Sequence, residues 1–115
     1  MEDKSEKYLA ILADILNSLA NWWNNAPGDV KNEVIIDKEK RHILMVSTGR
    51  NKDRFEYLVL FHFKVQDGKI WVLKNNTDED LDRELWKQGV PIKDIVVGRH
   101  SDFERNLKGY EYGMV

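Results

Sequence analysis

The 115-residue chain contains no cysteine. Disulfides and thiolate metal sites are thereby excluded, and the expected compartment is a reducing cytoplasm. There are only two prolines, Pro27 and Pro91, and each follows a segment with helical patterning. No apolar run is long enough to span a bilayer. Met1 to Lys7 lacks the basic stretch and apolar run of a signal peptide, so no membrane partner is expected. Nor is there an excess of basic residues: Lys and Arg total 18 against 20 Asp and Glu, a formal net charge of −2. Domains that hold nucleic acid by counterion release are usually clearly basic, so bulk DNA binding is not favoured. Phosphate-cradling glycine loops are missing too, since Gly49-Arg50-Asn51-Lys52 lacks the Walker spacing. What is present is 42% hydrophobic and 33% charged, ordinary usage for one globular domain over residues 1–115.

Helical periodicity dominates the start. Tyr8, Leu12, Ile15, Leu16, Leu19, Trp22 and Trp23 draw one apolar stripe, with Asp3 as N-cap and Glu6 three residues on. Asn24 to Asp29 ends the helix. Four runs rich in β-branched and aromatic residues then predict an antiparallel meander: Glu33 to Asp37, Arg41 to Thr48, Arg54 to Gln66, and Lys69 to Lys74. Asp67-Gly68 is the dipeptide of a type I′ hairpin turn, which sets Gln66 against Lys69 and carries on to His62 against Leu73. A second helix is expected from an N-cap at Thr77, with Asp78, Glu79 and Asp80 in its first turn. Gly89 would close it in a Schellman motif, with Val90 packed on Leu85. A short strand, Ile95 to Val97, follows. The expected fold class is α+β: an N-terminal helix, a four-stranded antiparallel meander, a second helix, and a short C-terminal strand with a tail.

Alternation along the third and fourth strands divides the sheet into two faces. Phe55, Tyr57, Val59, Phe61, Phe63, Val65, Ile70 and Val72 read as a core face. Leu58, Leu60, His62, Lys64, Trp71 and Leu73 read as a second face, apolar in the middle. The interface candidates are therefore Leu58, Leu60, His62, Trp71 and Leu73. A homodimer through this face is expected, because symmetric dimers are the commonest way to cover such a surface.

Candidate chemistry is sparse. His42, His62 and His100 show no zinc-binding spacing, and no metal, cofactor or catalytic residue is assigned. Asp37-Lys38-Glu39-Lys40 reads as a charged turn rather than a nuclease set. The loop after the last strand, with Arg99, His100 and Arg105, is the remaining functional candidate.

Two segments carry a family resemblance. Asp67-Gly68-Lys69-Ile70-Trp71 resembles the DGKIW hairpin of XisI-like proteins, and Gly89 to His100 resembles their GVPKxDIVLGFH segment. The chain looks like a divergent member of that family, the fdxN element excision controlling factor XisI. It departs from the family pattern at Arg50, Lys64, Arg99, Ser101 and Asp102. The resemblance implies an accessory role beside a separate recombinase and a second factor, XisH, and it does not point to a catalytic residue. A XisH-like protein is thus an expected partner. Two alternatives stand beside that expectation: a DNA-binding dimer using Arg99, Arg105 and Lys108, and an enzyme with a histidine-containing pocket.

Overall fold

The computed structural model describes residues 4–97. Helix α1, Lys4–Asn24, packs across a five-stranded sheet of β1 (Lys31–Asp37), β2 (His42–Asn51), β3 (Arg54–Gln66), β4 (Lys69–Asn75) and β5 (Ile95–Val97). The strands lie in sequence order. The first four pair antiparallel, and β5 joins β4 in parallel after a connection through helix α2, Asp82–Lys87. The α+β fold expected above is therefore present. The N-cap expected at Asp3 lies outside the described residues.

The core forms where the stripe of α1 meets the inner face of the sheet. Tyr8, Leu12, Leu16 and Ala20 pack with Ile43, Met45, Phe61, Phe63, Val65 and Ile70. Trp23 stacks on Phe61 with ring centroids 6.5 Å apart. Trp22, placed in the stripe by its spacing, is instead 69% exposed. The end of α1 is tied to β1 by the side chain of Asn24, whose Oδ1 accepts the Asn32 backbone N–H at 2.8 Å and whose Nδ2 donates to the Asn32 backbone carbonyl at 2.9 Å. These bonds hold the two ends of the intervening loop together.

Local turn chemistry fixes the remaining elements. Asp67 and Gly68 both have positive φ, 57° and 72°, as a type I′ turn requires. Asp37 Oδ1 accepts the Lys40 backbone N–H at 3.0 Å, so the charged segment is the expected turn. Helix α2 starts later than expected. Thr77 Oγ1 accepts the Glu79 N–H at 3.0 Å and donates to Asn75 Oδ1 at 2.7 Å, which commits Thr77 to a turn; Asp80 Oδ1 then accepts the Asp82 N–H. The C-terminal expectation holds: the Val90 N–H reaches the Leu85 carbonyl at 2.9 Å and the Gly89 N–H reaches Trp86, with Gly89 at φ 98°. Val90 and Leu85 are both buried in the core.

One contact crosses most of the chain. Asp94, on the turn of 3-10 helix Ile92–Asp94, is buried. Its Oδ2 accepts a hydrogen bond from the buried Tyr8 hydroxyl, and Lys4 Nζ lies 3.3 Å away. This pins the start of α1 to the segment that leads into β5. Burial, then the hydrogen bond and charge of Asp94, push the Tyr8 phenol well above its ordinary value.

Candidate functional site

The outer face of the sheet is the candidate surface. Leu81 and Leu85, flanking and within α2, join the same core cluster as α1, so both helices cover the inner face. Among the described residues no helix lies on the other side. Directly opposed residues share a face, and the pairings set out the outer one in rows. Asp37, His42, Lys64, Trp71 and Val96 form one row. Ile35, Leu44, His62 and Lys74 form the next, followed by Glu33, Val46 and Val59.

Two bulges decide which residues reach this face, and they correct the division made from alternation alone. The register of β2 and β3 shifts so that Met45 opposes Phe61 while Val46 opposes Val59, leaving Leu60 as the extra residue. An extra residue reverses the alternation beyond it. Phe55, Tyr57 and Val59 therefore sit on the outer face, not with Phe61 in the core, and Leu58 moves to the inner side. Leu60 itself packs against the core cluster. The hairpin register holds from Gln66–Lys69 to Phe63–Val72, but His62 then pairs with Lys74 because Leu73 is bulged. Leu73 lines a cavity of about 180 Å³ beneath α2 with Phe63, Val72 and Leu85. Of the five interface candidates, His62 and Trp71 lie on the outer face, whereas Leu58, Leu60 and Leu73 do not. Arg99, His100 and Arg105 lie outside the described residues.

The outer face is graded in exposure. Val46 and Val96 are buried, and Leu44, His62, Lys64 and Trp71 are half-buried. Ile35 is 48% exposed, and Phe55 and Tyr57 on the projecting β2–β3 arm are exposed by about two thirds. The Trp71 indole N–H donates to the Gln66 carbonyl at 3.2 Å, which holds the ring beside Lys64.

His42 and His62 meet on this face, a juxtaposition not predicted from the sequence. His42 Nδ1 and His62 Nε2 are 2.8 Å apart, and the rings are tilted by 49°. One nitrogen must donate its N–H and the other accept, so at most one proton lies between the rings. Burial, and secondarily the charge of His42, hold the His62 imidazole below its usual range. Among the described residues no group of three or more His, Cys, Asp or Glu side chains is placed to hold a metal ion.

The sign of that shift gives a stability prediction. The native state takes up a proton at His62 less readily than the unfolded chain. Stability contributed by the neutral His62 imidazole is therefore present above about pH 6.5 and declines as pH falls toward the lowered value. Denaturant melts at pH 7.5 and pH 5.5 should show this loss in the native sequence and a smaller one in His62→Phe. An equal loss in the two proteins would rule out His62 as the cause.

Comparison with known proteins bears on the whole domain. The family model described as XisI protein matches residues 1–112. The chain belongs to the XisI family. A XisI-like protein from Anabaena variabilis ATCC 29413 superposes with a TM-score of 0.80 at 31% sequence identity, covering 92% of this chain and 96% of its own. The fdxN element excision controlling factor XisI from the same organism superposes with a TM-score of 0.78 at 25% identity, covering 98% and 100%. No curated protein matches the chain. No helix among the described residues is long and apolar enough to cross a membrane.

Proposed function

We propose that this XisI family member is a cytoplasmic accessory protein that regulates DNA element excision by protein–protein contact, not by catalysis. The observation that carries the reading is the one-sided packing of the sheet. Both helices cover the inner face, while the outer face presents Ile35, Phe55 and Tyr57 to solvent beside Leu44 and Trp71. Large apolar side chains left exposed together on one face mark a surface that another polypeptide covers. The chain self-associates, and a XisH-like protein occupies the outer face. The excision-control role of its structural relative supplies the biological setting.

The purified chain and a purified XisH-like protein should elute together as a discrete complex in gel filtration. Separate elution at micromolar concentrations would remove this reading. DNA binding by the dimer is the second reading, favoured by Lys31, Lys64 and Lys74 sharing the outer face with Tyr57 and Trp71. It requires an affinity for duplex DNA that falls steeply with salt.

A further inference from the structure

The β2–β3 arm extends beyond its neighbours. The ladder between β3 and β4 ends where Phe61 pairs with Asn75, and the Leu60 carbonyl accepts the Asn76 N–H. From Arg54 to Val59, β3 is bonded to β2 on one side and, among the described residues, to no strand on the other. Such an edge displays unpaired N–H and carbonyl groups and invites another strand. Natural edges are usually blunted by charge or short length. This one carries two of the most exposed aromatic side chains of the described chain, Phe55 at 67% and Tyr57 at 69%. Its two charges, Arg54 and Glu56, form no ion pair among the described residues. Glu56 lies opposite Gly49, which offers no side chain.

We infer that this edge is where two copies of the chain join, pairing β3 with β3 antiparallel about a twofold axis at Phe55. The inference rests on the self-association proposed above and specifies its geometry. A strand that pairs with its own copy in this way centres on a residue, and three centres are open. An axis at Glu56 sets two carboxylates directly against each other, which is destabilising. An axis at Tyr57 leaves Glu56 against Leu58 and Arg54 against Leu60, whose carbonyl is already engaged by Asn76. An axis at Phe55 places Arg54 of each copy opposite Glu56 of the other. Two ion pairs then flank a Phe55–Phe55 contact, with each Tyr57 diagonal to the facing Phe55. Charge complementarity thus selects the register. The two arms then join over residues 54–56, short of the turn at 52–53, and the two outer faces lie side by side, so a partner docked there spans both copies.

Analytical ultracentrifugation of four proteins tests this. The native sequence should sediment as a dimer at micromolar concentration. Arg54→Glu should weaken the dimer by at least about tenfold by opposing carboxylates at both ends. The double variant Arg54→Glu/Glu56→Arg should restore it, because the swap rebuilds both pairs. The chain has no cysteine, so Phe55→Cys should yield a single intermolecular disulfide under mild oxidation. A dimer indifferent to Arg54→Glu, or one not rescued by the swap, overturns the edge register while leaving self-association intact. A monomeric native chain overturns both.

Discussion

Gly49→Ala lowers stability by about 2–4 kcal/mol and the melting temperature by about 10 °C or more. Gly49 has φ 143°, a backbone conformation that side chains resist. The space is also taken. A Cβ at this position would lie 2.3 Å from the Asp29 carbonyl oxygen and 2.7 Å from the Val30 Cα, both backbone atoms that cannot swing aside. The loop following α1 crosses the arm at this point, and Asn24 with Asn32 holds it there. Relief therefore requires either the loop or β2 to move. Thermal unfolding followed by circular dichroism measures the loss. A variant that melts within 2–3 °C of the native protein would show that the loop yields freely.

Asp94→Ala is expected to be comparably damaging. It deprives the buried Tyr8 hydroxyl of its acceptor and Lys4 of its carboxylate, and it releases the start of α1 from the segment feeding β5. Removing one member of a buried polar pair costs about 1–3 kcal/mol for the stranded hydroxyl alone. Asp94→Asn retains an acceptor oxygen and should cost less. Tyr8→Phe strands the carboxylate instead, so the two losses are not additive. A double-mutant cycle should return a coupling of about 1–3 kcal/mol. The same contact has an alkaline signature. Because the Tyr8 phenol is raised in the native state, its stabilisation is complete below about pH 10 and disappears at higher pH as the unfolded chain ionises first. Tyr8→Phe should flatten that alkaline decline. Additive losses in the cycle would contradict the direct link between Tyr8 and Asp94.

Other positions in the fold separate what the amino-acid pattern reveals from what it conceals. The hairpin at Asp67-Gly68 and the cap at Gly89 were legible because each is a local device whose backbone conformation its own residues dictate. The reversal of faces at Leu60 was not. Leu58, Val59, Leu60 and Phe61 are all apolar, so a slip of one residue leaves greasy side chains on both sides and the pattern cannot report it. The start of α2 was misplaced for a related reason. Thr77 caps turns and helices with the same hydroxyl, and only the neighbouring Asn75 decides between them. The His42–His62 pair depends on the register between β2 and β3, which the turn at residues 52–53 does not announce by type. A usable signal was nevertheless present, since both histidines fall on neighbouring strands. The family motifs were readable because they contain these same local devices, and they identified the fold correctly.

The reading of the outer face as a docking surface can be tested by one comparison of affinities for a XisH-like protein. Tyr57 on the outer face and Trp22 on the helical side are equally exposed, each at 69%. Calorimetric titration of Tyr57→Asp should show binding weakened by at least about tenfold, while Trp22→Asp binds as the native protein does. The opposite pattern, with Trp22 required and Tyr57 dispensable, would place the partner on the helices and contradict the account.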